Sequence, residues 1–265
     1  MPEISWTQMR YLQQFFVQSI RDHPQDPVVI SHGDSWFAYP IYANIIDQLD
    51  EIVQHRMSLL RLEISGDELL TILDPAGLAT LKKLMTYHTP NVFLFSAGGN
   101  DIVGSELLTF LAPRTEPFDA TAALATAALT QRFDDMKAAY QSLIAMRDEV
   151  APACMIVTHG YARAIPTGIK ASYLGFSAGP WLKPFLEARG YVDLIEQRAV
   201  VDALMQRFND LLDSLAGPLF VKVDFRTVIT DSDWSNEIHP TRNGFEKAAG
   251  VLHAELHRLL PTKFP

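Results

Sequence analysis

A serine follows the first apolar run of the chain, in the segment His32-Gly33-Asp34-Ser35-Trp36. A serine at a strand-to-helix turn exposes its hydroxyl, and its backbone N–H lies near a helix N-terminus, where negative charge is stabilised. Gly33 permits the tight backbone that such a turn requires. Ser35 is therefore a candidate nucleophile, although an Asp-Ser pair ahead of a helix also occurs as an ordinary N-cap.

Two further segments contain groups that would complete an acyl-transfer reaction. Gly98-Gly99-Asn100-Asp101 contains a side-chain amide, which can donate a hydrogen bond to an oxyanion. Asn236-Glu237-Ile238-His239-Pro240 contains an imidazole, which can act as a general base near neutral pH. Taken alone, the first is also typical of a Gly-rich turn, and the second of an exposed loop histidine beside a proline.

Five short apolar runs, rich in β-branched and aromatic residues, separate these segments. They cover residues 27–31, 57–64, 92–96, 155–159 and 219–225. Their nearly continuous hydrophobicity predicts strands that are covered on both faces. Helical patterns cover residues 6–20, 119–150, 191–215 and 244–260. The alternation predicts βαβ units, and hence one α/β domain over residues 1–265 with a parallel sheet between helices.

The candidate residues lie just beyond the ends of different predicted strands. Ser35 follows the first strand, Gly66 the second, Asn100 the third and His239 the fifth. In an open parallel sheet the carboxyl ends of the strands share one edge, and ligands bind in the crevice outside it. The predicted fold therefore brings together a nucleophile, a base and oxyanion donors, which is the set that acyl transfer requires.

Two irregular segments, residues 102–118 and 161–182, also follow predicted strands and are expected over the same edge, either as ordinary surface loops or beside a ligand. Several aromatic residues near Ser35 and in the second segment could line an acyl or sugar pocket, and they fit a hydrophobic core equally well. These are Trp36, Phe37, Tyr39, Tyr173, Phe176 and Trp181.

The ordered set of polar segments resembles the four sequence blocks of the SGNH (GDSL-like) hydrolases. Gly33-Asp34-Ser35, Gly66, Gly98-Gly99-Asn100-Asp101 and His239-Pro240 occur in the order of that family, and the resemblance spans residues 28–260. It implies a three-layer, flavodoxin-like α/β fold with five parallel strands in the order 2-1-3-4-5. The Gly-x-Ser-x-Gly elbow of the α/β-hydrolases is absent at Ser35, which argues against that fold.

The resemblance also implies a function. It is hydrolysis of a small carboxylic ester through an acyl-serine intermediate, with no metal or organic cofactor. The family's oxyanion donors correspond to the backbone N–H groups of Ser35 and Gly66 and to the side chain of Asn100. Acyl transfer to an alcohol or sugar would use the same residues, and a degenerate member that binds a ligand without turnover is a further alternative.

The sequence departs from the family pattern three residues before the histidine, where Asn236 stands in place of an aspartate. An amide cannot replace a carboxylate in stabilising an imidazolium, so a different group is expected to orient His239. We predict Asp233 as the third catalytic residue, because a turn through residues 234–236 can bring it within reach of His239. A Ser-His dyad supported by a backbone carbonyl remains open, as do three neighbouring side chains, those of Asp231, Asn236 and Glu237.

Composition restricts the class of protein and its partners. The chain has 265 residues and a formal net charge of -9, which argues against a broad nucleic-acid-binding surface. Its 1 Cys, Cys154, cannot form an internal disulfide or a cysteine-based zinc cluster. No apolar stretch approaches the roughly 18 residues of a membrane span, and no signal peptide is visible. We therefore expect a cytoplasmic protein that acts on a small ester, and the sequence does not indicate its oligomeric state.

Overall fold

A parallel sheet forms the centre of the fold. The structure is a computed structural model that describes residues 6–173 and 175–265, with the side chains of all of these except 6–12, 173 and 176. The strands are β1 (Val28–Gly33), β2 (Ser58–Arg61), β3 (Val92–Ser96), β4 (Met155–His159), β5 (Ala171–Tyr173), β6 (Phe176–Ala178) and β7 (Phe220–Val223). The central sheet has the order β2-β1-β3-β4-β7, which confirms the predicted five-stranded arrangement. All of its neighbouring strands run parallel.

Helices connect the strands and cover the sheet. They are α1 (Trp6–Asp22), α2 (Ile45–Ile52), α3 (Leu69–Ile72), α4 (Pro75–His88), α5 (Leu107–Phe110), α6 (Ala120–Ala123), α7 (Ala127–Val150), α8 (Lys183–Ala188), α9 (Leu194–Asp213) and α10 (Arg242–Leu259). The predicted helix over residues 119–150 is divided into α6 and α7, because the Thr126 side chain caps a new helix by accepting from the Leu129 N–H. None of the described helices combines the length and apolar character needed to cross a bilayer.

The connections place the helices in two outer layers. The chain passes from β1 to β2 in one direction across the sheet and then from β2 through β3 and β4 to β7 in the other. Right-handed crossovers in opposite directions put their helices on opposite faces. α2 accordingly lies with α10 on one face, while α4, α7 and α9 pack together on the other. Every residue of β3 and β4 is buried, as expected for strands covered on both faces.

A small antiparallel hairpin, β5–β6, lies within the segment that the sequence pattern left irregular. Its strands have three residues each, which is too short for a periodic hydrophobic signal. The other irregular segment contains α5 and a 3₁₀ turn at Gly104–Glu106. Both segments follow strands of the central sheet, β4 and β3 respectively.

Candidate active site

Ser35 and His239 meet at the carboxyl edge of the sheet. The Ser35 hydroxyl lies 2.7 Å from His239 Nε2, although 204 positions separate the two residues in the chain. Ser35 follows β1, and His239 precedes α10 in the loop after β7. Both side chains are largely buried. A serine hydroxyl that donates to an imidazole nitrogen at this distance has the geometry of a nucleophile paired with its general base.

The backbone at Gly33 explains how Ser35 reaches this position. Gly33 has a φ of 147°, and a Cβ atom there would lie only 2.1 Å from the Ser96 carbonyl oxygen. Only glycine permits this close approach of β1 to β3. The Asp34 N–H then donates to the same Ser96 oxygen at 2.8 Å. The turn that carries Ser35 is thereby fixed against the end of the neighbouring strand.

The expected helix directly after Ser35 is absent from the structure. A single turn follows instead, in which the N–H groups of Phe37 and Ala38 donate to the Asp34 carbonyl at 3.1 and 3.0 Å. α2 begins only at Ile45. The turn forms because the Asp34 carboxylate also accepts the Trp36 N–H, at 3.0 Å, which closes the backbone locally. The N–H of Ser35 therefore lies in an isolated turn, without the dipole of a long helix behind it.

Asn236 orients the imidazole of His239. Its Oδ1 lies 3.0 Å from His239 Nδ1 and also accepts the backbone N–H groups of Ile238 and His239, at 3.1 and 3.0 Å. Its amide nitrogen donates to the Tyr39 hydroxyl at 3.2 Å. Because two backbone donors face Oδ1, this oxygen is an acceptor and Nδ1 must carry the ring proton. Nε2 is then free to accept the Ser35 hydroxyl, which is the tautomer that a general base needs.

The prediction that Asp233 orients His239 is wrong. The Asp233 carboxylate accepts from the N–H and hydroxyl of Thr230 at 2.9 and 2.7 Å, and from Lys247 Nζ at 2.8 Å. Burial opposes ionisation of this carboxyl, but the hydrogen bonds from Lys247 and Thr230 outweigh it and lower its pKa to about 2. Asp233 is thus bound to Thr230, at the start of the 3₁₀ turn Asp231–Asp233, and to α10. Asp231 also points elsewhere, since its carboxylate pairs with Arg198 on the surface.

Substituting Asp233 with asparagine should therefore leave kcat nearly unchanged and destabilise the fold. Loss of the buried charge-assisted bond to Lys247 should lower the free energy of unfolding by about 1–3 kcal/mol. The pKa of Asp233 is lowered on folding, so its contribution is present above about pH 4 and is lost as the pH falls through about 2. Denaturant titrations at pH 7 and pH 3, together with ester kinetics, would measure both effects. A tenfold loss of kcat in the folded variant would return Asp233 to the catalytic set.

Burial also controls the protonation of His239. Removal of the ring from water lowers the pKa of His239 from 6.5 to about 3. Asn236 is neutral and supplies no charge that would favour the imidazolium. The ring is consequently held neutral across the physiological pH range, ready to accept a proton but poorly stabilised once it has one.

The two remaining predicted site residues, Gly66 and Asn100, lie in the turns that follow β2 and β3. Gly66 follows β2 in a turn with a φ of 93°, where the Asp67 N–H donates to the Ile64 carbonyl at 3.1 Å. Asn100 donates one amide hydrogen to the Asp67 carbonyl at 2.8 Å, which leaves its second hydrogen available. Asn100 and Ser35 line the same cavity. Among the described residues, no hydrogen bond occupies the backbone N–H of Ser35 or of Gly66.

Comparison with known proteins gives similarity at the level of structure. No family model and no curated protein matches the sequence. An extracellular lipase from Streptomyces rimosus aligns over 86% of this chain and 99% of that one, at 18% identity and a TM-score of 0.50. A salicylyl-acyltransferase from a tetracycline biosynthetic pathway aligns over 91% of this chain and 56% of that one, at 14% identity and a TM-score of 0.50. A Parabacteroides merdae protein described as a GDSL-like lipase aligns over 90% and 97%, at 15% identity and a TM-score of 0.48.

The chain has the SGNH-hydrolase fold. At these identities the likeness concerns architecture, and the chemistry must be argued from the residues of this chain.

Within this SGNH fold, a buried polar network that the sequence reasoning missed lies beneath Ser35. The Ser96 hydroxyl lies 2.8 Å from Asp34 Oδ1, and His159 Nε2 lies 2.9 Å from the same hydroxyl. Burial raises the pKa of Asp34 to about 6 despite its hydrogen bonds, and burial lowers the pKa of His159 to about 3. His159 ends β4, at the edge that holds the other polar groups. Its position at a strand terminus is the signal that could have identified it.

Tyr161 connects this network to the Asn100 segment. Its hydroxyl donates to Asp34 Oδ2 and accepts the Gly99 N–H at 3.1 Å. Tyr161 is buried and has a φ of 59°, a conformation that a tyrosine adopts only when its surroundings hold it there. One hydroxyl thus joins the turn that carries Ser35 to the turn that carries Asn100, and fixes their separation.

Glu237 holds the long segment after β4 over the site. Its side chain is fully buried, and its two oxygens accept four backbone N–H groups, at 2.5–2.9 Å, from Gly168, Trp181, Leu182 and Lys183. The Trp181 ring consequently stands 5.3 Å from the His239 ring, nearly perpendicular to it. Glu237 was an alternative partner for His239, but its carboxylate anchors the segment instead.

The aromatic residues that were candidates for lining a pocket lie in different parts of the structure. Trp36, Tyr39 and Trp181 line the spaces beside Ser35 and His239. Phe37 is part of the buried core. The side chains of Tyr173 and Phe176 lie outside the described residues. Within the described part of the chain, no group of three or more His, Cys, Asp or Glu side chains is arranged to hold a metal ion.

Proposed function

We propose that this chain is a serine esterase of the SGNH type, which hydrolyses a small carboxylic ester through an acyl-serine intermediate. The observation that carries the proposal is the 2.7 Å contact between the Ser35 hydroxyl and His239 Nε2. The 3.0 Å contact of Nδ1 with Asn236 supports it, because it fixes the tautomer in which Nε2 accepts a proton.

Acylation begins when His239 Nε2 takes the proton of the Ser35 hydroxyl. Ser35 Oγ forms a bond to the ester carbon, and the carbonyl electron pair moves onto oxygen. The backbone N–H groups of Ser35 and Gly66, with the second amide hydrogen of Asn100, are the proposed donors to this oxyanion. The oxyanion then collapses, the bond to the alcohol oxygen breaks, and Nε2–H donates its proton to that oxygen.

Deacylation repeats these steps with water as the nucleophile. Nε2 takes a proton from the water as the water oxygen bonds to the acyl carbon. Collapse of the second oxyanion breaks the bond to Ser35 Oγ, which recovers its proton from Nε2. The carboxylic acid leaves, and Ser35 and His239 return to their starting states.

The neutral base gives a testable pH dependence. His239 must be unprotonated to act, and burial lowers its pKa to about 3. We expect kcat/KM to stay constant as the pH falls from 7 to 5, where an ordinary imidazole with a pKa of about 6.5 would lose most of its activity. Initial rates between pH 4 and 9, on protein verified to be folded by circular dichroism, would measure this profile. An acid limb centred near pH 6.5 would contradict it.

Substituting Asn236 with aspartate should raise kcat by about 10- to 100-fold, because a carboxylate beside Nδ1 stabilises the imidazolium that forms in the transition state. The two backbone N–H groups that face Oδ1 favour an ionised carboxylate there. The Tyr39 hydroxyl can rotate to donate to the second oxygen, so no buried group is left without a partner. The new charge should also raise the pKa of His239 and move the acid limb of kcat/KM upward.

Asn236→Ala is the matched control for this substitution. It removes the acceptor for Nδ1 without adding charge, so its kcat should fall below that of the natural chain. A lower kcat in Asn236→Asp than in the natural chain would mean that Asn236 does not occupy the position of the third catalytic residue.

Covalent labelling provides the direct test of the proposal. A fluorophosphonate probe should modify Ser35 stoichiometrically, and p-nitrophenyl esters should be hydrolysed with the same pH dependence as labelling. A chain that binds ligands without turnover would have no reason to activate this serine. Absence of labelling in folded protein, with no turnover of any ester in the panel, would reject the esterase.

Acyl transfer is the second candidate function, and the structural likeness to an acyltransferase is the observation that favours it. Both reactions share the acyl-serine intermediate and differ in the acceptor that attacks it. Adding an alcohol or an acetylatable sugar to the assay separates them. At a low concentration of the acceptor, an acyltransferase forms mainly the new ester, whereas an esterase releases mainly the free carboxylic acid.

A further inference from the structure

Two separate spaces flank the Ser35–His239 pair. The inner cavity, which contains Ser35 and Asn100, has a volume of about 30 Å³ and is lined mainly by apolar side chains such as Val103, Leu182 and Met205. The outer cleft, which contains His239, has a volume of about 260 Å³. The outer cleft is several times larger than the inner cavity, so a group that fills the outer cleft cannot enter the inner cavity.

The chemistry of acylation assigns each space to one side of the ester. The acyl carbon must bond to Ser35 Oγ, with its carbonyl oxygen toward Asn100, so the acyl chain extends from the inner cavity's wall into that cavity. The alcohol oxygen must receive its proton from His239 Nε2, so the alcohol leaves from the outer cleft. This assignment rests on the proposed function, because it follows from the roles of these residues.

We infer that the substrate is an ester of a short acyl group with a larger alcohol. About 10–15 Å³ suffices for one water molecule, so the inner cavity admits about two or three groups of that size beyond the carbonyl. This corresponds to an acetyl to butyryl chain. Apart from Ser35 and Asn100, which engage the ester carbonyl, the polar side chains at the inner cavity are bonded already, since the Tyr161 hydroxyl donates to Asp34 and accepts from Gly99. The remaining lining therefore favours an alkyl chain over a polar one.

The outer cleft has both apolar and polar walls. Tyr39 and Trp181 line it together with Ser172 and Ser177 of the β5–β6 hairpin. Ser172 and Ser177 are opposite each other in the hairpin register, so their side chains lie on one face. These walls fit an alcohol that presents an apolar surface and hydrogen-bonding groups. The wall formed by Trp181 is fixed in position, because Glu237 binds the backbone at Trp181, Leu182 and Lys183.

Met205 is the side chain that we expect to limit acyl length. It lies on α9, is buried and lines the inner cavity. Met205→Ala should enlarge the cavity and raise kcat/KM for hexanoate and octanoate esters at least tenfold relative to acetate. Met85→Ala is the matched control, since Met85 is equally buried but lies on α4, away from the site. It should reduce thermal stability without changing the ranking of acyl chains.

A second variant tests the same cavity without removing core volume. Ala164 also lines it. Ala164→Val should lower kcat/KM for the butyrate ester at least fivefold while retaining the acetate ester. Ser172→Tyr, in the outer cleft, should instead change KM for esters of bulky alcohols and leave the acyl ranking unchanged.

The decisive measurement is kcat/KM for p-nitrophenyl esters from acetate to decanoate, on the natural chain and these variants. The natural chain should lose at least tenfold between butyrate and octanoate, and Met205→Ala should remove that loss. Equal or faster turnover of octanoate by the natural chain, or an unchanged ranking in both inner-cavity variants, would overturn the acyl assignment and leave the esterase standing. Absence of turnover of every ester, with no fluorophosphonate labelling, would instead reject the proposed function.

Discussion

Substituting Ser35 with alanine should lower kcat for ester hydrolysis by about 10⁴- to 10⁶-fold, because it removes the atom that forms the acyl intermediate. The fold should be unaffected. The turn at Ser35 is held by backbone bonds to Asp34 and by the bond from Asp34 to the Ser96 carbonyl, and the Ser35 hydroxyl takes part in neither. The lost hydroxyl contacts His239, which keeps its bond to Asn236.

Ser96→Ala is the control for this prediction. Ser96, His159 and Asp34 form a second, fully buried arrangement of the residue types found in a catalytic triad. Ser96 is completely inaccessible, so it cannot meet a substrate. A fluorophosphonate should therefore label the Ser96→Ala variant and leave the Ser35→Ala variant unlabelled, which mass spectrometry would measure. The reverse pattern, in proteins with normal melting curves, would place the nucleophile at Ser96.

Substituting Asn100 with alanine should lower kcat by about 10²- to 10³-fold with little change in KM. An oxyanion donor acts chiefly on the transition state, where the carbonyl oxygen has gained charge. One amide hydrogen of Asn100 is fixed on the Asp67 carbonyl, at 2.8 Å, which orients the second hydrogen before substrate arrives. Preorganisation of this kind is what makes a single donor so effective.

Inhibitor binding separates this role from substrate binding. A phosphonate or boronate that mimics the tetrahedral intermediate should lose affinity for Asn100→Ala in parallel with kcat/KM. A non-hydrolysable amide analogue of the substrate should bind both proteins alike. If KM and the affinity for the amide analogue change while kcat is preserved, Asn100 is a substrate-binding residue.

The strands follow from information that is local in the chain, whereas their order in the sheet was implied by the family resemblance. Residues 92–96 and 155–159 are apolar without interruption, and their predicted bounds coincide with β3 and β4. Burial on both faces imposes this pattern whatever the rest of the fold. The polar residues after each strand then converge, because parallel strands end at one edge. The convergence of Ser35, Asn100 and His239 could be predicted for this reason.

The orientation of His239 depends on contacts that no local pattern encodes. Asn236 reaches the ring because the backbone of the loop closes on itself, with the N–H groups of Ser235 and Asn236 directed at the His239 carbonyl at 3.0 and 3.4 Å. Asp233 has the negative charge that would stabilise an imidazolium, but its carboxylate is paired with Lys247 on α10. A buried carboxylate must be paired with a group that neutralises it, because an unpaired buried charge is strongly destabilising. Here the position of that group, Lys247, is set by the packing of α10.

The network beneath Ser35 and the division of the site into two spaces have the same origin. Asp34 and Tyr161 are 127 positions apart, and their contact depends on how β1 and the segment after β4 meet across β3. The hairpin that walls the outer cleft carries no periodic signal, and the buried carboxylate of Glu237 binds the backbone on both sides of it, at Gly168 and Trp181. Hydrophobic patterning along the chain is enough to specify which segments are buried. The partner of a buried polar group is whichever group lies within hydrogen-bond distance in the folded protein. The order of residues along the chain does not give that distance.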